Sequence, residues 1–242
     1  MDERIMQMRW VMGYLVALCL LMLIFAQSII IPTFFMPFFR WQYERNDVAK
    51  TIQVSEEELM FVTVELLDYM RPRIFGQRRD TLEGITATVA GQEREFFSDI
   101  EIRHMVDVRE LYDLLFMVRN IAFFLLAGII MGMLLLKYKV LYVLARCARD
   151  VLAGFLILSA VIVGIIAFDF DRAFIIFHHI FFDNDYWILD PRVDLLINMV
   201  PIYFFIHISI FIAGILVITP LVIILISSLY LRNAVLLGYD RT

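Results

Sequence analysis

The sequence predicts an all-α polytopic membrane protein with four transmembrane helices and a small extracytoplasmic α/β cap. Hydrophobic residues make up 62% of the 242 residues and charged residues only 19%, whereas soluble domains have about 45–50% and about 25%. Four apolar runs each approach or exceed the roughly 20 helical residues that cross a bilayer. The net charge of −5 argues against a nucleic-acid partner, because binding a phosphate backbone requires a basic face.

The four predicted spans belong to a single membrane domain. This domain comprises residues 1–242, and the spans cover about 10–31, 114–136, 151–168 and 200–231. The first apolar run continues past the small triplet at 26–28, so we interpret it as an uncleaved anchor and not as a signal peptide. Pro220 inside the fourth span predicts a kink. Cys19 and Cys147 fall mid-membrane and in the cytoplasm respectively, so no disulfide is expected.

The charges of the connections predict the orientation of the chain. The short 137–150 connection carries four basic residues against one acid, whereas the 169–200 connection carries six aspartates against two arginines. The positive-inside rule therefore places both termini and residues 137–150 in the cytoplasm. It places the 32–120 and 169–200 segments outside.

Residues 40–107 form the predicted cap, inserted between the first and second spans. Ser55 and Glu58 match a capping box, which predicts that a helix begins there and that its apolar stripe ends at Pro72. Apolar residues alternate with threonines over 85–89, a pattern typical of a short strand. A segment of this size is too small for an independent core, so we expect it to pack on the outer membrane surface or on the helix ends.

A second cap pattern precedes the second span. Asp107 is followed three residues later by Glu110, which predicts that a helix begins at Asp107 and continues into that span. His104 would then lie at the mouth of the helix, where the positive helix end favours a neutral imidazole. A loop histidine bonded to the backbone explains His104 equally simply.

Histidines are the main candidates for chemistry. The sequence contains no GxSxG elbow, Walker loop, HExxH motif or dinucleotide fingerprint. All four histidines map to the outward half of the protein: His104, His178, His179 and His207. His178 and His179 lie in an aromatic run, 174–182, that is too short to span and is expected along the outer interface. Low dielectric there favours the neutral imidazole.

Each of these features also has a simpler explanation. Headgroup contact explains His178 and His179, and an interhelical hydrogen bond explains His207 inside the fourth span. The aromatic clusters at the outer span ends fit an interfacial belt or a pocket for lipid tails. Asp194 is placed either to open the fourth long helix or to orient a histidine.

Two motifs carry a resemblance to a known family. His104-Met105-Val106-Asp107-Val108-Arg109 resembles an HMxDV(K/R) element, and residues 177–191 resemble an FHxxFFxNDxWxLDP element. Both elements are found in the bacterial lipoprotein intramolecular transacylase family, formerly an integral membrane protein family of unknown function. The resemblance implies four membrane helices, an extracytoplasmic cap, and two catalytic histidines where cap meets membrane. These carry over to His104 and His178, because Phe177 fixes the register and His179 fills a variable position.

The resemblance also implies the activity. The sn-2 acyl chain of a diacylglyceryl-cysteine moves to the α-amine of the same N-terminal cysteine, which gives a lyso-form lipoprotein. The implied partners are this lipoprotein and membrane lipids, in the cell membrane of a Gram-positive bacterium with the site at the outer leaflet. No cofactor or metal is implied. Two neutral imidazoles can take a proton from the amine and return one to the departing alkoxide.

Nine further residues are expected to bind or orient the substrate, because they stand in the two motifs or could donate a hydrogen bond to the developing oxyanion. They are Asp107, Arg109, Arg119, Arg172, Phe177, Phe181, Tyr186, Trp187 and Asp190. Snorkelling to headgroups is the simpler explanation of Arg119.

Three other functions account for part of the sequence. A non-enzymatic membrane assembly or lipid-binding protein predicts that alanine at His104 or His178 is silent in an acyl-transfer assay. A metal-dependent membrane hydrolase could use histidines with an aspartate, but the sequence has no pair of ligands at helical i, i+4 spacing. A transporter requires a midplane site, and four helices without a buried charge pair or broken-helix repeat provide none.

Overall fold

The computed structural model describes residues 3–72, 78–136 and 138–236. In these ranges the helices are α1 (Glu3–Thr33), α2 (Met36–Arg45), α3 (Val48–Ile52), α4 (Glu56–Met70), α5 (Asp99–Leu135), α6 (Val140–Phe168), α7 (Phe170–Phe181), α8 (Leu196–Met199) and α9 (Ile202–Leu236); the strands are β1 (Thr86–Val89) and β2 (Gln92–Glu95). Four of the described helices, α1, α5, α6 and α9, are long and apolar enough to cross a membrane. The predicted fold class is therefore confirmed.

The start of α5 differs from the prediction. The helix begins at Asp99, and its capping box is Ser98 with Glu101: the Glu101 N–H donates to Ser98 Oγ (3.5 Å), and the Ser98 N–H donates to the Glu101 carboxylate (2.6 Å). A start at Asp107 was wrong. The two capping patterns begin nine residues apart, at Ser98 and at Asp107. The helix begins at the earlier one, because Glu101 of that pattern is fully buried. All charged side chains of α5 except Arg119 lie in residues 99–113, and its apolar run begins at Leu114.

The chain forms two compact units, and the first holds most of the long apolar helices. It comprises the described parts of Met1–Ile30, Met117–Phe168 and Phe211–Thr242. Its buried core joins α1, α5 and α6 through Val16, Ala17, Met133, Val143 and Cys147. Gly13 permits the close approach of α1 to α6, since a Cβ there would lie 2.5 Å from Val143 Cγ1 and 2.8 Å from Cys147 Sγ.

The second unit comprises Ile31–Phe116 and Asp169–Ile210. The capping box of α4 is present as predicted, with Ser55 and Glu58 bonded to each other. The predicted apolar stripe is buried along this helix: Leu59, Val62, Leu66, Leu67 and Met70. The strands form an antiparallel hairpin with Thr86 opposite Glu95. The Thr88 N–H donates to Glu58 (2.9 Å), so one carboxylate joins the start of α4 to the hairpin.

Two buried carboxylates tie α8 to the start of α5 within this unit. Glu101 accepts the Leu196 N–H, and Asp194 accepts hydrogen bonds from Ser98 Oγ and the Asp190 N–H, each at 2.8 Å. Burial raises the pKa of Glu101, and the nearby Asp194 charge adds to the rise. The expectation that Asp194 opens the fourth long helix was wrong, because α9 begins only at Ile202.

Candidate active site

His104 and His178 come together in the second unit. His104 lies in the second turn of α5 and His178 in the last turn of α7. Their ring centroids are 6.1 Å apart, and both side chains are buried, with 9% and 6% of their surface exposed. Hydrogen-bond reach from a ring nitrogen is about 2.6–3.2 Å, so two rings at this separation can serve one reacting group placed between them.

The hydrogen bond of His178 fixes its tautomer. Its Nδ1 lies 2.7 Å from the carbonyl oxygen of Phe174, one helical turn earlier. A carbonyl oxygen only accepts, so Nδ1 carries the hydrogen and the neutral ring keeps its lone pair on Nε2. The free nitrogen of His178 is therefore a proton acceptor.

Aromatic rings form the wall around His178. The centroids of four rings lie 4.2–5.6 Å from its centroid: Phe174, Phe177, Phe182 and Trp187. Phe182 also packs edge-on against His104 at 5.3 Å. This desolvation lowers the pKa of His178, and the bond to Phe174 partly opposes the drop.

His104 is the more strongly perturbed of the two histidines. Its Nδ1 is buried and has no hydrogen-bond partner among the described residues. Burial lowers the pKa of His104 to about 4, the neighbouring His178 adds to the drop, and Asp107 opposes it. Because His104 lies inside α5 and not at its mouth, burial rather than the helix end keeps this imidazole neutral at pH 7.

A short loop after α7 is fastened to α5 beside the two histidines. The Asn184 side-chain amide donates to Asp107 Oδ2 (2.8 Å), and its Oδ1 accepts the Tyr186 N–H (3.0 Å). These two bonds fix the loop where the Trp187 ring packs on His178, with centroids 4.7 Å apart. Trp187 Nε1 is buried, and no described residue accepts a hydrogen bond from it.

Several residues predicted for the site lie at it or border it. Asp107 and Trp187 adjoin the histidines as described, and Phe177 packs edge-on against His178 at 5.4 Å. Phe181 stacks on Phe177 at 4.7 Å. Tyr186 packs under the Arg103 guanidinium at 5.6 Å.

Other predicted residues have partners elsewhere. Arg109 donates to the Asp80 carbonyl (3.0 Å) and lies over the Tyr69 ring at 4.4 Å. Asp190 is paired with Arg192, and Arg172 is exposed at the start of α7. Arg119 lies in the first unit and donates to Asn120 Oδ1 (2.9 Å). Within the described ranges, no hydrogen bond or ring contact links Arg109, Arg172 or Asp190 to His104 or His178.

The remaining histidines are arranged differently. His179 is exposed and touches Trp187 edge-on at 5.2 Å. His207 Nδ1 lies 2.8 Å from Gln42 Nε2 and its ring packs on Trp41 at 5.5 Å, which agrees with the hydrogen-bond explanation. In the part of the chain that the structure describes, no three His, Cys, Asp or Glu side chains are grouped to hold a metal ion.

Sequence reasoning left out two residues that shape the site. Phe174 supplies the carbonyl that orients His178, and its i, i+4 spacing was the available signal. Asn184 stands in the second motif, but without a structure its partner Asp107, 77 residues away, could not be assigned.

Around the buried His178, α7 also exposes apolar side chains. They are Ile175, Ile176, Phe177, Ile180 and Phe181, each with 46–68% of its surface exposed. Exposed apolar side chains on a helix that carries a buried histidine are typical of a helix that contacts lipid.

Comparisons with known proteins relate the chain to one family and one fold. The family described as lipoprotein intramolecular transacylase Lit matches residues 14–205. The structure is similar to that of the lipoprotein intramolecular transacylase Lit from Bacillus cereus, with a TM-score of 0.69 at 18% identity over 97% of this chain and 98% of that one. A variant of the same protein with a histidine changed to arginine gives 0.70 at 18% identity over 96% and 95%. No curated protein sequence matches the chain.

Proposed function

Since the chain belongs to the lipoprotein intramolecular transacylase family, we propose that it moves the sn-2 acyl chain of a diacylglyceryl-cysteine to the α-amine of that cysteine. The product is a lyso-form lipoprotein. Within the site, the supporting observation is the pair of buried, neutral imidazoles on α5 and α7, with ring centroids 6.1 Å apart. General acid–base catalysis requires groups of this kind within reach of one reacting centre.

The proton path follows from the free nitrogens. The amine attacks the ester carbonyl carbon, and His178 Nε2 takes a proton from the attacking nitrogen. When the tetrahedral intermediate collapses, the bond to the glyceryl oxygen breaks, and the His178 imidazolium returns that proton to the oxygen. No covalent acyl-enzyme forms, and the proton count is unchanged at the end.

His104 has a different role in this scheme. A buried ring nitrogen without a partner is tolerated better as an acceptor than as an N–H, because orphaned buried N–H groups are the rarer kind. His104 therefore carries its hydrogen on Nε2, from which it donates to the carbonyl oxygen as negative charge develops there. A histidine with a lowered pKa is suited to this task, because it is already neutral at pH 7 and donates a hydrogen bond from its one remaining N–H.

The shape of the site contributes through orientation. The amine and the ester belong to one flexible molecule, so a large part of the barrier lies in bringing them together; well-oriented intramolecular attack removes about 7–11 kcal/mol. The rings around His178 provide an apolar surface against which acyl chains can pack. In this scheme Phe177 and Phe181 contact the acyl chains.

The site faces the outer leaflet in this proposal, and both termini are cytoplasmic. The charge asymmetry of the connections supports the orientation. The exposed apolar side chains of α7 support lipid contact next to His178. A lipoprotein with its acyl chains in the bilayer would then reach the site without leaving the membrane.

Fragmentation mass spectrometry tests the proposal. A purified diacylglyceryl lipoprotein is incubated with the protein in detergent or bilayers, and its N-terminal lipopeptide is fragmented, since total mass does not change. We expect one acyl chain on the cysteine nitrogen, with a rate about 10²–10⁴-fold lower in His178→Ala and strongly reduced in His104→Ala. His179→Gln, at the neighbouring exposed histidine, is the matched control and should retain activity. An unchanged diacylglyceryl pattern with the wild-type protein would refute the transacylase.

A further inference from the structure

Asp107 is an acid on α5, three residues after His104. It is half-buried, and its Oδ2 is occupied by the Asn184 amide at 2.8 Å. Among the described residues, no lysine, arginine or histidine forms an ion pair with it. Partly buried carboxylates normally have such a partner, so the free Oδ1 is an open position for a positive charge.

The arginines near Asp107 on α5 are engaged elsewhere. Arg103 stands one turn earlier, at the i, i+4 spacing that favours a salt bridge. It is turned toward Tyr186, with its guanidinium 5.6 Å from the ring centroid and 3.4 Å from the hydroxyl. Arg109 is held by the Asp80 carbonyl and the Tyr69 ring. The fold therefore leaves the Asp107 charge uncompensated.

Asp107 also lies on the face of α5 that carries His104. The two residues are three apart, so their side chains are neighbours on one side of the helix. The Asp107 charge reaches the imidazole, since it opposes the drop in the pKa of His104. His104 in turn packs on Phe182 at 5.3 Å and lies 6.1 Å from His178. One negative charge thus stands beside a neutral imidazole that adjoins π faces, which attract cations as well.

The substrate of the proposed reaction carries a matching charge. An α-amine has a pKa of about 7.7–8.0, so at pH 7 it is mostly ammonium. We propose that Asp107 binds the α-ammonium group of the lipoprotein through Oδ1 and holds it next to His178; this inference rests on the proposed function. The ammonium then gives one proton to His178 Nε2 and becomes the free amine, and that proton leaves to solvent before the amine attacks.

Asn184 is a positioning residue for this carboxylate. Its amide fixes Oδ2, and its own Oδ1 is fixed in turn by the Tyr186 N–H at 3.0 Å. The carboxylate plane is therefore set by the loop that also carries Trp187. A lipoprotein already acylated on nitrogen has no ammonium group, so this contact also favours release of the product.

Binding of two non-reactive ligands tests the inference. Both are dialkylglyceryl-cysteine peptides with an ether at sn-2, which cannot transfer a chain; one has the free α-amine and the other has hydrogen in its place. The full-length protein in nanodiscs at pH 7 should bind the amine ligand at least about tenfold more tightly, as expected for a charge-assisted hydrogen bond. Asp107→Asn should lose this preference and bind the desamino ligand as wild type does, which also shows that the variant is folded.

The experiment distinguishes a failure of the ammonium site from a failure of the proposed function. Glu110→Gln removes an exposed acid one turn further along α5 and should keep the preference. An equal preference in wild type and Asp107→Asn would overturn the role of Asp107, as would the absence of any preference in wild type. Transfer of the acyl chain from the ordinary ester substrate is measured in parallel. If transfer occurs and the preference is unchanged, the reaction stands and the ammonium site falls.

Discussion

The pH dependence of the transfer rate is the sharpest consequence of the two buried imidazoles. The attacking amine is protonated below about 7.7–8.0, so log kcat/KM should rise with pH at a slope of one through the neutral range. A catalytic histidine of ordinary pKa would add a second protonation below about 6.5 and steepen the slope to two. Burial lowers the pKa of His104 to about 4 and also lowers that of His178, so the second break should lie below 6.5.

The size of the effect follows from the protonated fractions. Between pH 6.5 and pH 5, a histidine of ordinary pKa loses about 15-fold of its neutral form, whereas His104 at about 4 loses only about a tenth. The assay is acyl transfer followed by lipopeptide fragmentation across this range, with His179→Gln as the control of unchanged profile. A limb of slope two that begins near pH 6.5 would refute the argument from burial.

The same shift predicts the pH dependence of stability. A histidine whose folded pKa is lowered is neutral in the fold while the unfolded chain takes up a proton. The contribution of the neutral histidine to the free energy of unfolding is complete above pH 6.5 and is lost as the pH falls toward 4. His104→Gln should therefore reduce the loss of thermal stability between pH 6.5 and pH 4.5. An identical loss in wild type and variant would contradict this sign.

Three substitutions test other parts of the structure. Asn184→Ala removes a charge-assisted bond and should lower kcat/KM by about tenfold or more, measured by acyl transfer, with thermal unfolding as the control; an unchanged kcat/KM would refute a role in positioning. Gly13→Val places side-chain atoms where a Cβ is already 2.5 Å from Val143 and should lower the unfolding temperature in detergent, and Val143→Ala should restore part of it. Glu101→Leu leaves the Leu196 N–H unpaired and should cost about 1–3 kcal/mol, while Glu101→Gln should cost less; equal losses would contradict the hydrogen-bond argument.

The spans and the general nature of the protein could be predicted from composition, because crossing a bilayer constrains length and polarity in every helix. The start of α5 could not be placed, since Ser98 and Asp107 open equivalent patterns and only burial of Glu101 distinguishes them. That choice depends on α8, whose position is set by tertiary packing. The error also changed the explanation of why His104 is neutral.

The motif resemblance indicated the two histidines, and the structure shows both packed against the ring of Phe182. The resemblance did not indicate which charged side chains near the histidines remain available to contact the substrate. Among the described residues, Arg109 and Asp190 have partners of their own, whereas Asp107 has no positively charged partner. Such differences depend on the contacts of long side chains with distant backbone, and local sequence patterns do not record them.

The carbonyl that orients His178 belongs to the main chain of its own helix. In hydrolases with a Ser-His-Asp arrangement, a carboxylate orients the base, and changing that side chain exposes its role. Here alanine at position 174 would leave the bond to Nδ1 in place, so a scan of polar side chains would find no partner for the base. The orientation of His178 is instead a consequence of helical geometry, and α7 provides it without burying an additional charge.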